Sequence, residues 1–121
     1  MDFLGAEFKG DIREVSTKAL AYVGDAVFEL FCRTKFSFNN LKVRERVNAK
    51  AQAEYFDKIK ILLSEDEEAI AMRGRNLKTA RSKEPFYRKA TAFETVIGYL
   101  FLTGEEKRLG MLLKNCVEHS E

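Results

Sequence analysis

Two stretches, LAYVGDAVFEL (residues 20–30) and ATAFETVIGYLFL (90–102), are apolar enough to be buried and are spaced for helices rather than strands. In the first, Leu20, Val23, Val27, Leu30 and Phe31 recur every three or four residues, the stripe of an amphipathic helix turned toward a core. One proline, Pro85, and seven glycines interrupt the 121 residues, too few breaks for a strand-rich fold. The length suits one domain over residues 1–121, and 45% hydrophobic residues with ten Phe can fill one core. The expectation is an all-α bundle of about five helices.

The first helix is expected from Ser16 to Lys35, and FSFNN (36–40) breaks it. Asn40 then caps a long helix over 41–63 carrying Leu41, Val47, Ala51, Tyr55, Ile59 and Leu62. Ser64 and Glu67 have capping-box spacing, and the acid-rich helix they open runs to Gly74. RGRNLKTARSKEPFYRK (73–89) has no period and reads as a loop leading into a helix over 87–102, which Thr103 and Gly104 stop. A last helix over 105–119 brings Leu109, Leu112, Leu113 and Val117 to one face.

No apolar run approaches the ~18 residues of a membrane span, so no membrane partner is expected. MDFLGAEFKGD lacks a signal-peptide apolar core. Cys32 and Cys116 form no CxxC, and His119 is the single histidine, so a zinc site is not expected. A reducing, cytoplasmic compartment fits this cysteine usage.

Both apolar helices contain the same anomaly. Gly24 and Asp25 interrupt the first, and Glu94 and Gly98, one turn apart on one face, interrupt the second. An interior glycine costs about 1 kcal/mol relative to alanine, and an unpaired carboxylate on an apolar face costs more. A nearby Lys or Arg would satisfy either acid alone, and close packing would account for either glycine alone. Their joint recurrence points to one shared site. Mg²⁺ prefers oxygen ligands and keeps several waters, so two carboxylates suffice when a substrate phosphate adds oxygens. Metal-assisted phosphodiester hydrolysis draws its nucleophile from water, consistent with a chain that has no Ser-His-Asp set, P-loop or GxGxxG. Asp25 and Glu94 are thus the candidate metal ligands and catalytic residues, with Mg²⁺ as the cofactor and Mn²⁺ as its substitute.

The charge map supplies a substrate. Residues 73–89 hold seven of the 21 basic residues, Arg73, Arg75, Lys78, Arg81, Lys83, Arg88 and Lys89, against one of the 19 acids, Glu84, so the remainder is net negative. Concentrated positive charge is the footprint of a polyanion site; a merely solvated loop is the alternative. The loop leads directly into the helix that carries Glu94. Arg73, Arg75, Lys78, Arg81 and Arg88 are the candidate phosphate contacts. Lys50 could reach phosphate or face solvent, and Asn76 could meet a 2′-hydroxyl or hold a turn. Glu29 is expected to pair with Arg33 at i,i+4, and Phe86 and Tyr87 to pack at a helix start.

Four segments, ALAYVGDAVFELFCR (19–33), NAKAQAE (48–54), RGRNLK (73–78) and YRKATAFETVIGYLFL (87–102), are distributed over residues 19–102 of the chain. In this order they resemble the ribonuclease III endonuclease domain, most closely the bacterial Mini-ribonuclease III family, which has no separate double-stranded-RNA-binding domain. The resemblance implies an all-α ribonuclease III fold working as a symmetric homodimer, with one metal site per subunit and double-stranded RNA in the dimer valley. It matches Asp25 and Glu94 to the family's catalytic acids. It also implies maturation of the ends of the large-subunit ribosomal RNA precursor, assisted by a large-subunit ribosomal protein. Full-length ribonuclease III enzymes carry further acids where this chain has Lys18, Ala21 and Thr91, a reduction shared by the Mini-ribonuclease III proteins. Two other readings use the same residues: a non-catalytic helical RNA-binding or ribosome-assembly module, and a helical dimer whose acids make buried salt bridges.

Overall fold

A short 3₁₀ turn, Ile12–Glu14, leads into α1 (Thr17–Lys35), which begins where the Ser16 hydroxyl accepts a hydrogen bond from the Ala19 N–H at 3.1 Å. The structure is a computed structural model and describes residues 7–37, 39–79 and 83–117. α2 (Asn40–Val47) is capped by Asn39, one residue before the expected cap, through a 3.1 Å bond from the Lys42 N–H.

The single helix expected over 41–63 is two helices. α3 (Ala49–Ile59) begins afresh after Asn48, whose backbone is extended with ψ 160°. The Asn48 side chain serves both ends: its carbonyl accepts from the Ala51 N–H at 2.9 Å, and its amide donates to the Arg44 and Glu45 carbonyls at 3.0 and 3.1 Å. Asn competes with helical hydrogen bonding in this way, and apolar spacing alone does not reveal it. A 3₁₀ turn, Lys60–Leu62, ends this arm.

α4 (Glu65–Arg75) opens on the expected capping box, with Ser64 and Glu67 bonded reciprocally at 2.9 and 3.2 Å. α5 (Pro85–Leu102) starts two residues before the expected boundary because Pro85 occupies its first turn, where a missing N–H leaves nothing unsatisfied. Thr103 and Gly104, with φ 74°, stop it as expected. α6 (Glu106–Val117) packs Leu109, Leu112, Leu113, Cys116 and Val117 inward. Six α-helices and no strand are present among the described residues, and no helix there is long and apolar enough to cross a membrane.

α5 is the axis of the fold. Ala92, Phe93, Val96 and Ile97 are fully buried, and the helix packs against α1, α3 and α4. Phe93 meets Phe28 of α1 edge-on, with centroids 5.0 Å apart at 89°, and Tyr55 of α3 at 6.0 Å. Burying each such ring contributes about 2–3 kcal/mol, and the edge geometry adds about 1.

The stripe read as the core face of α1 is not its most buried one. Leu20, Ala21, Gly24, Phe28 and Cys32 face the core, whereas Val23, Val27 and Phe31 are only half-buried and Leu30 is 48% exposed. In the arm, Tyr55 and Ile59 are buried as expected, but Leu41 and Leu62 are exposed. The half-buried stripe of α1 instead borders an apolar groove of about 270 Å³ lined by Val23, Ala26, Val27, Leu30 and Phe101. A neighbouring groove extends it to Leu109 and Leu113 of α6. The helix therefore has two apolar faces, and periodicity alone could not rank them.

Candidate active site

The site is assembled by two glycines. A Cβ on Gly24 would overlap the Glu94 carbonyl and lie 2.9 Å from the Gly98 nitrogen. A Cβ on Gly98 would overlap the Leu20 carbonyl and lie 3.0 Å from the Gly24 nitrogen. α1 and α5 therefore cross in direct backbone contact, which only glycine permits at both positions. Gly74 does the same for α4, where a Cβ would stand 3.0 Å from the Ala92 Cα. Asp25, next to Gly24, is thereby set beside Glu94.

The two carboxyls share a hydrogen bond in a cleft of about 170 Å³. Ala21, Tyr22 and Lys18 complete its α1 wall, Thr91 its α5 wall, and Leu77 and Thr79 the side toward the loop after α4. Asp25 is exposed on the cleft rather than buried on an apolar stripe, because its neighbour Gly24 faces the core. Glu94 is half-buried. Its carboxyl is pushed up to about 9, chiefly by burial and then by the hydrogen bond and charge of Asp25.

Among the described residues no ion pair involves either acid. The salt-bridge explanation for these acids therefore finds no partner there. Two pressed-together carboxylates that enter no ion pair among the described residues suit a divalent ion. No third Asp, Glu, His or Cys joins them in a ligand cluster among the described residues. Such an ion would complete its shell with water or phosphate oxygens, as Mg²⁺ does. Cys32 and Cys116 are buried thiols pushed up to about 12 by burial, which makes them poor nucleophiles and poor ligands.

Four of the candidate RNA contacts come together. Arg75, Asn76, Lys78 and Arg88 line a pocket of about 300 Å³ with Leu77, and Leu77 also borders the acid cleft. The Asn76 N–H closes α4 on the Met72 carbonyl at 3.0 Å, the turn-holding alternative, and the residue also lines the pocket.

Arg73 does not join this pocket. Its guanidinium donates to the Val15 carbonyl at 3.2 Å and the Thr17 hydroxyl at 3.1 Å, tying α4 to the start of α1. Lys50 stands over the Phe86 ring, 5.7 Å from its centroid, and Phe86 packs on Tyr87 at 4.4 Å. Glu29 and Arg33 pair at 3.3 Å as expected. Arg81 and His119 lie outside the described residues. The family resemblance already singled out Lys18 and Thr91 as standing where longer relatives carry acids, and both line the cleft. Sequence reasoning did not place Tyr22 and Thr79 there, although Tyr22 precedes Asp25 at same-face spacing.

The ribonuclease III domain pattern matches residues 18–105, a span that contains both acids and the cationic pocket. A Mini-ribonuclease 3 of Clostridium tetani is 40% identical, over 93% of this chain and 83% of its own length. One from a Thermoanaerobacter species is 39% identical, over 91% and 86%. A crystal structure of a Fusobacterium nucleatum protein superposes with a TM-score of 0.80 at 34% identity, covering 93% of this chain and all of the other. Helical architecture and sequence thus agree, and the chain belongs to the ribonuclease III family of endoribonucleases, in its Mini-ribonuclease III branch.

Proposed function

We propose that this endoribonuclease is divalent-metal-dependent and cuts double-stranded RNA, with Asp25 and Glu94 as the metal ligands. The observation that carries the reading is the shared wall: Leu77 borders both the acid cleft and the pocket of Arg75, Lys78 and Arg88. A backbone gripped in one is thereby delivered to the other. Asp25 and Glu94 would hold a divalent ion, Mg²⁺ or Mn²⁺, which would supply charge neutralisation and an activated water. The α1–α5 crossing keeps the two carboxyls facing one another, and Glu94 would have to give up its proton to serve as a ligand. Arg75 and Arg88 offer forked donors to phosphate oxygens and Lys78 a point charge, while Asn76 can meet a 2′-hydroxyl. Lys50 and Arg73, both exposed, extend the positive surface.

A second copy of the chain, packed symmetrically on the apolar groove of α1, would cover Val27 and Leu30. The family resemblance further supports maturation of the ends of the large-subunit ribosomal RNA precursor in the cytoplasm, assisted by a large-subunit ribosomal protein.

The test is cleavage of a duplex RNA with Mg²⁺ and with EDTA. Asp25→Asn should keep the fold and RNA affinity but lose cleavage by at least about a thousandfold. Charge reversal at Arg75, Lys78 and Arg88 should weaken binding and flatten its salt dependence. Wild-type cleavage in EDTA, or full activity in Asp25→Asn, would defeat the reading and favour the non-catalytic RNA-binding module.

A further inference from the structure

The acid cleft has a lysine in its wall that the metal reading leaves unused. Lys18, Tyr22 and Asp25 stand at i, i+4 and i+7 on one face of α1, and all three line the cleft with Glu94. The Lys18 ammonium lies 5.8 Å from the Tyr22 ring centroid. Tyr22 is 66% exposed, so its ring is not spent on the core and can prop the lysine stem toward the cleft. Among the described residues Lys18 enters no ion pair, although two carboxylates share its cleft.

We propose that Lys18 is the second cation of this site: its ammonium holds a non-bridging oxygen of the RNA phosphate presented to Asp25 and Glu94, so that one divalent ion completes the site. The inference rests on the endoribonuclease reading above. Its logic is charge and ligand number. One divalent ion and one ammonium bring three positive charges, matching two carboxylates and one phosphodiester. A second divalent ion would find no third acidic, histidine or cysteine ligand in a cluster among the described residues. It would also meet the repulsion of Lys18 across a cleft of about 170 Å³. As the phosphate gains charge during attack, a lysine at this oxygen stabilises that charge more than it stabilises the ground state.

Two measurements test this, one of them without turnover. Mn²⁺ titrated into RNA-free wild-type protein should bind at one ion per chain. Lys18→Met should keep that stoichiometry, and Lys18→Glu, which adds a third carboxylate, should raise it to two. In cleavage of duplex RNA at saturating Mg²⁺, Lys18→Met should lower kcat by on the order of tenfold to a hundredfold, and Lys18→Arg should restore most of it. With Ca²⁺ in place of Mg²⁺, the salt slope of duplex binding should fall by about one for Lys18→Met. Two Mn²⁺ per wild-type chain would overturn the proposal. So would a Lys18→Met variant with wild-type kcat and salt slope, provided the wild type cuts in Mg²⁺. A wild type that does not cut duplex RNA at all would instead defeat the reading beneath it.

Discussion

At Gly24 and Gly98 the backbones of α1 and α5 occupy the space where side chains would stand. Alanine at either position must push two helices apart, and overpacking against backbone has no flexible neighbour to absorb it. Gly24→Ala and Gly98→Ala should each cost about 3 kcal/mol and lower Tm by roughly 10–15 °C, as read by calorimetry. A shift under about 3 °C would mean that the helices can separate cheaply. The acid beside this crossing sets a pH dependence. Glu94 in the folded chain holds its proton up to about 9, against 4.5 for an ordinary glutamate. Its contribution to stability is full below the unfolded value and is lost as pH rises through the folded one. Metal-free protein should therefore become less stable from about pH 5 to 9, and Glu94→Gln, which cannot ionise, should flatten that slope. Thermal melts across this range in EDTA decide it, and a slope unchanged by Glu94→Gln would refute the assignment. The sequence marked both acids and both glycines correctly as belonging together. It misjudged where Asp25 points, because only the neighbouring helix reveals that Gly24, not Asp25, faces inward.

At the level of helices, capping chemistry was the most legible signal and apolar spacing the less certain one. Ser16, the Ser64–Glu67 box and Gly104 mark boundaries through local hydrogen bonds and backbone conformations that need no tertiary information, whereas Pro85 opens α5 two residues ahead of the expected start. Asn48 escaped notice because an asparagine on a helix surface and one joining two helices are written identically. The inner and outer faces of α1 were confused for a related reason: both are apolar, and only contact with α5 distinguishes them. One interaction between elements was invisible beforehand. Arg108 of α6 donates to both Glu67 oxygens, at 2.7 and 2.9 Å, and to the Leu62 carbonyl, pinning α6 to the start of α4. The Arg108 hydrogen bond, more than any other contact, holds the Glu67 carboxyl below its ordinary range. Arg108→Ala would leave that carboxylate, in a residue only 6% exposed, without its partner. The expected loss is about 3 kcal/mol in urea unfolding. The double variant with Glu67→Leu should recover much of it, and no recovery would show that Arg108 acts through packing alone.

For the whole molecule, the apolar groove along α1 is the surface on which assembly is to be tested. Leu30 is exposed and contributes to the groove without belonging to the core, so Leu30→Glu can disturb association while sparing the fold. Sedimentation should give a dimer for the wild type and a monomer for Leu30→Glu with unchanged helix content; a wild-type monomer at micromolar concentration would remove the dimer from the proposal. The crossing of α1 and α5 has one more consequence, and it concerns time. Asp25 leaves the ribosome early in translation, whereas Glu94 and the glycine that seats it come only after three intervening helices have been made. Contacts so distant along the chain close late. Until Gly98 has emerged, the nascent polypeptide carries one half of the α1–α5 crossing and nothing to pair it with. On the function proposed above, cleavage therefore waits until the chain is nearly complete.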